Sequence, residues 1–142
     1  MSAPVAGQIR RLTAIDLQKT TALPAAAATA NGASINLETD TLGPFADDIE
    51  ATISIDAVPN LVDAKTIIVT VQDSADNSSF AAIAGVGTLT VTGASGTGAA
   101  AAVQRFKFPP ATRQYVRASA AVLTAGGDNT AKNFYLKLYP NT

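Results

Sequence analysis

With neither histidine nor cysteine among its 142 residues, the chain lacks the side chains that most often move protons, attack as nucleophiles or hold zinc near neutral pH. Its net charge of −1 offers no global field for nucleic acid, and no apolar run approaches the roughly 20 residues that span a bilayer. The length suits one domain with a core of its own, and no enzyme, cofactor or metal site is expected of it.

Residues 1–32 read as an arm. They hold scattered apolar residues, two prolines and few strand formers, and Leu12, Ile15 and Leu17 form a short apolar cluster that would profit from docking. Arg10 and Arg11 ahead of Leu12 loosely imitate a secretion signal, but Asp16 and Lys19 interrupt the apolar stretch such a signal needs, so export is not expected. Residues 22–30 are the one helix candidate, rich in alanine but broken by Pro24, by threonine and by the nearby Gly32, with no apolar stripe to dock.

From residue 33 to 142 the pattern is that of a β-sandwich. Residues 34–38 alternate, with Ile35 and Leu37 on one side. Residues 49–57 do so over nine positions, placing Ile49, Ala51, Ile53, Ile55 and Ala57 together. Residues 66–71 send Ile67, Val69 and Val71 inward, then a polar turn leads to Phe80, expected to return toward the core. Residues 88–92 bury Leu89 and Val91. Residues 103–108 separate Gln104, Phe106 and Phe108 from Val103, Arg105 and Lys107, and stop at Pro109-Pro110. Residues 112–122 set Val116, Ala118, Ala120 and Val122 against Arg113, Tyr115 and Arg117. Residues 132–139 set Phe134, Leu136 and Leu138 against Tyr135, Lys137 and Tyr139. Such period-two segments, joined by Gly-, Pro-, Asn- and Asp-rich turns, predict an antiparallel sandwich of jelly-roll type with about eight strands.

Three motifs invite chemistry and fail on spacing. Asp73, Asp76 and Asn77 lack the ligand order of a calcium loop, so the two aspartates are expected to cap turn amides. Asp47 and Asp48 adjoin Glu50, but neighbouring strand residues face opposite ways and make no glycosidase pair. Gly93, Gly96 and Gly98 precede no Lys-Ser/Thr pair and read as a flexible hairpin connection, not a phosphate loop.

Charge is unevenly spread. Residues 33–80 carry nine acidic groups against Lys65, while residues 81–142 carry six basic groups against Asp128. The chain could therefore meet itself in a complementary way. The best binding candidates are Arg105, Lys107, Arg113, Arg117 and Lys137 with Tyr115, Tyr135 and Tyr139, all on outward phases. Arg and Tyr are the residue types that anchor interfaces.

The order ASINLE, Gly-Pro turn, long amphipathic strand, VTVQDSADNSSF and RQYVRASA…NFYLKL resembles the small capsid cement (decoration) proteins of tailed double-stranded DNA phages, above all the podovirus cement family with a jelly-roll fold. QDSADNSSF and RQYVRASA carry most of the likeness, which spans roughly residues 12–139. The resemblance implies a structural virion protein, made in the host cytoplasm and placed on the outer capsid surface. There it would bridge neighbouring copies of the major capsid protein against the pressure of packaged DNA. Partners are then the major capsid protein and itself, as a homodimer or, in second place, a trimer, with no nucleic acid, membrane or small-molecule substrate. A carbohydrate-binding or adhesin-like sandwich of a virion is the alternative reading.

Overall fold

The computed structural model describes residues 18–37, 49–109 and 111–140. Within them ten strands and no helix occur: β1 (Gln18–Ala22), β2 (Thr29–Asn31), β3 (Ile35–Asn36), β4 (Ile49–Ile55), β5 (Thr66–Ser74), β6 (Ala81–Ala82), β7 (Leu89–Thr92), β8 (Ala102–Lys107), β9 (Tyr115–Val122) and β10 (Asn133–Pro140).

All strand pairs are antiparallel. Sheet A has the order β1-β10-β4-β8, and sheet B the order β2-β9-β5-β6, with β3 also on β9 and β7 also on β5. The edges of sheet B are thus each split in two. Gly32 interrupts one edge, its amide still reaching the Ala118 carbonyl at 2.7 Å. The turn at Ala84 and Gly85 interrupts the other. The expected sandwich stands, and splitting of the edges helps to raise the strand number from about eight to ten.

The core lies between the sheets. Ala51, Ile53, Ile55, Phe134, Leu136 and Leu138 face it from sheet A, and Ile67, Val69, Val71, Val116, Ala118, Ala120 and Val122 from sheet B. Period-two alternation places every one of these on a single face of its strand. Phe108 closes the end of β8, its ring edge-on to Phe106 at 5.1 Å. Ala57, expected inward, is exposed because pairing of β4 ends at Ile55 and the chain turns away.

The boundary of the arm moves. Residues 18–31, expected outside the sandwich, give an edge strand to each sheet: β1 pairs with β10 from Gln18↔Lys137 to Ala22↔Asn133, and β2 pairs with β9. Their sequence hides this, because an edge strand exposed on one side needs little apolar alternation. The helix candidate at 22–30 is the crossing between sheets. Leu23 is buried there, and Ala27 takes φ +66° with its amide on the Val122 carbonyl at 3.0 Å. The Gly-rich run at 93–98 is also a crossing, not a hairpin, since it leads from β7 in sheet B to β8 in sheet A. It is fastened by paired bonds between Val58 and Ala99 and by Asp63, whose Oδ1 accepts the Gly96 amide at 2.9 Å. Leu12, Ile15, Leu17, Asp47 and Asp48 lie outside the described residues.

Candidate binding face

The sandwich divides the candidate residues between its two outer surfaces. Tyr115 and Arg117 belong to sheet B, with Arg113 in the segment entering it, and Arg105, Lys107, Tyr135, Lys137 and Tyr139 belong to sheet A. They do not form one patch.

On sheet B both arginines are engaged within the chain. Asp73 Oδ1 lies 2.7 Å from Arg113 Nη2 and accepts from Nε at 3.0 Å, while its Oδ2 accepts the Arg113 amide at 3.0 Å. That hydrogen bonding raises the Arg113 pKa. Asp73 is therefore not a turn cap, since its position on β5 brings it beside the segment entering β9. Asp76 does cap: its Oδ1 accepts from the Ser78 and Ser79 amides, each at 3.0 Å, and from the Ser74 hydroxyl. The Ser79 amide above all, then Ser74 and Ser78, lower its carboxyl to about 2.

Arg117 donates to Gln72 Oε1 at 2.9 Å and stacks 3.9 Å above the Phe80 ring. Burial lowers its pKa. Phe80 thus packs under a guanidinium on the outer face rather than in the core. These cations tie β9 and the segment entering it to β5 and to Phe80.

Sheet A is different. Register across its four strands aligns Gln18, Lys137, Thr52 and Arg105 in one row, and Thr20, Tyr135, Ser54 and Val103 in the next. A third row holds Tyr139, Glu50 and Lys107. Gln18, Thr52, Ser54, Val103, Arg105, Tyr135, Lys137 and Tyr139 line a shallow depression of about 360 Å³. Thr52 forms its floor at 8% exposure, while Tyr139 at 41% and Val103 at 66% stand at its rim.

Among the described residues, no carboxylate lies within ion-pair distance of Arg105, Lys107 or Lys137, and the side chains of Gln18, Thr52 and Ser54 make no hydrogen bond. Lys137 Nζ sits 5.1 Å above the Tyr139 ring. Tyr135 is fixed from outside the depression, its hydroxyl donating to Asp56 Oδ1 at 2.8 Å, while Asp56 Oδ2 accepts the Asn133 amide. Asp56 raises the Tyr135 pKa, so the phenol stays protonated. Sequence reasoning missed Gln18, Thr52 and Ser54. Their outward phase on β4 was legible, but the membership of Gln18 required knowing that β1 is a strand.

No group of three or more acidic side chains among the described residues could hold a metal ion. The face combines hydrogen-bonding side chains, cations and aromatic rings around a buried Thr52.

No protein-family model and no curated protein sequence matches the chain. Solved structures do. PBSX exported protein XepA superposes with a TM-score of 0.54 at 11% identity, over 87% of this chain. The two share the β-sandwich fold. This chain spans 36% of the length of XepA. A Bacillus endospore-appendage protein from a family of disulfide-linked pili matches at a TM-score of 0.42 and 16% identity, covering 88% of this chain and 86% of its own. A CBM4 structure matches at 0.41 and 15%, covering 80% and 61%.

Proposed function

We propose that this chain is a capsid cement protein, a β-sandwich that binds the outer surface of a phage head and bridges neighbouring major capsid subunits. The observation that carries the reading is the contrast between the two outer faces. Sheet B ties Arg113 to Asp73 and Arg117 to Gln72 and Phe80, whereas sheet A holds Arg105 and Lys137 without an ion-pair partner among the described residues, beside Tyr135 and Tyr139. Arg and Tyr anchor interfaces because each buries much area and keeps a polar handle. The segments QDSADNSSF and RQYVRASA support a virion setting, and the β-sandwich shared with the PBSX exported protein XepA is compatible with it.

Cementing requires no reactive group. Many modest contacts repeated over a symmetric shell give avidity that one contact lacks. In this reading the protein also meets itself, as a dimer before a trimer, and works at the virion surface. The test is addition of purified protein to expanded heads that lack it. Sedimentation of folded protein with the heads is the expected result, and failure to co-sediment would overturn the reading.

A second reading, a carbohydrate-binding module, draws on the same depression, which combines two tyrosines with hydroxyl and amide groups. A glycan array returning no ligand would dismiss it.

A further inference from the structure

We infer that the depression on sheet A takes a carboxylate side chain of an acidic protein segment, held between Arg105 and Lys137 over Thr52. The inference rests on the reading that this face is the contact surface, and it names the chemistry of the contact.

The argument begins with register. Thr52 is the direct neighbour of Lys137 on one side and of Arg105 on the other. Strands lie about 4.8 Å apart, so the two cationic Cα atoms are roughly 10 Å from each other across Thr52. Side chains of that length can both reach a small anion above the middle strand once the Lys137 amine swings from the Tyr139 ring, with Arg able to bind in a bidentate way.

The floor supplies two hydroxyls, Thr52 and Ser54, and the end of the row supplies the Gln18 amide. None of the three side chains has an internal partner among the described residues. Lys137 rests beside Tyr139. The rim residues Val103 and Tyr139 offer apolar surface for the methylenes of a Glu stem.

The third row limits the size of the anion. Glu50 sits directly between Lys107 and Tyr139 in register. Its charge offsets Lys107 and repels a polyanion running along the sheet, which favours an isolated carboxylate over a nucleic-acid backbone. Lys107 is therefore the internal control: the same type of charge, on the same strand, outside the proposed pocket.

The test uses the full chain and a short peptide carrying one Glu among neutral residues, compared with its Gln counterpart, followed by amide NMR shifts. The expected result is saturable shifts at Thr52, Ser54, Arg105 and Lys137 with the Glu peptide and none with the Gln peptide. Arg105→Gln or Lys137→Gln should weaken binding at least tenfold, Thr52→Val severalfold, and Lys107→Gln less than threefold.

Equal binding of the Gln peptide, or equal loss with Lys107→Gln, would overturn the proposal. So would tighter binding of a sulfated oligosaccharide than of the Glu peptide. Tighter peptide binding after neutralising Glu38, Asp40, Asp47 and Asp48 together would overturn it in favour of the chain's own acidic residues. Head binding separates the two readings. If Arg105→Gln/Lys137→Gln protein still decorates heads as well as wild type, the carboxylate pocket is wrong and the cement reading stands. If the peptide binds as expected but no head does, the pocket stands and the cement reading falls.

Discussion

Asp73 grips Arg113 through both carboxylate oxygens, taking the guanidinium on Oδ1 and the backbone amide on Oδ2. One side chain thereby fixes both the direction of the chain entering β9 and the rotamer of its first arginine. The aspartate is largely buried, at 10% side-chain exposure. Removing it strands a backbone amide as well as a cation. Asp73→Ala should lower the thermal midpoint by on the order of 5 °C, while Arg113→Ala, which keeps the amide bond to Asp73, should lower it by less. Thermal scans of the two variants that gave the reverse order would contradict this account.

Asp76 supplies a pH signature. Its carboxyl is lowered from 3.8 to about 2 in the folded chain. The folded state therefore holds the proton less tightly than the unfolded state, and the contribution is complete above about pH 4 and fades as pH falls toward 2. The stability gap between wild type and Asp76→Asn should be flat near neutrality and narrow through that window. A gap that stays constant from pH 5 to pH 2 in urea melts would show that the turn cap is not the cause.

Phe134 is 1% exposed near the start of β10. Phe134→Ala should cost about 3–5 kcal/mol, the usual range for an aromatic ring lost from a packed core. By contrast, Val103→Ala, at a rim position 66% exposed, should stay within about 0.5 kcal/mol. Chemical denaturation of both would check the contrast.

Two glycines on one crossing should behave differently. Gly98 has φ +72°, and an added Cβ would collide with the Val58 carbonyl oxygen and the Pro59 backbone. Gly96 has φ +69° with open space around it. Gly96→Ala should cost about 1–2 kcal/mol, the left-handed penalty alone. Gly98→Ala should cost clearly more, because the pairing of Val58 with Ala99 must also shift. Equal losses would mean that the crossing relaxes without effect on the bridge.

The pairing of β1 with β10 sets what truncation should do. Chains beginning at Gln18 and at Leu23 differ by β1 alone, which covers one side of β10 through five register pairs. The shorter chain should melt lower and show a greater tendency to aggregate, since β10 would become an exposed edge. Identical melts for the two truncations would show that β1 contributes nothing to the sandwich.

The sequence was most legible where a strand is half-buried. In β5, β7, β9 and β10, apolar residues at every second position announce both the strand and its inner face, and Ile67, Val69, Val116, Phe134 and Leu136 all face the core as expected. Legibility failed at the edges. The stretch Gln-Lys-Thr-Thr-Ala of β1 contains no fully buried side chain, so no alternation marks it. The connections failed for another reason: whether Gly93 to Gly98 joins strands of one sheet or of two depends on long-range pairing that local turn chemistry does not encode.

The candidate residues were legible as outward-facing, but not their distribution. Nothing local to Arg113 or Arg117 reveals that Asp73, Gln72 and Phe80, some forty residues earlier, already occupy them.

The adjacency of β1 and β10 has a mechanical consequence. They are antiparallel neighbours, with Gln18 opposite Lys137 and Ala22 opposite Asn133. Residues 18 and 140 therefore leave sheet A at the same end. Tension applied between them would open the β1–β10 ladder like a zip, loading one hydrogen-bonded pair at a time. A load spread over the broad face of sheet A pulls on no ladder end and is shared by four strands at once. The fold is thus weak when drawn apart between residues 18 and 140 and strong when pressed across its face.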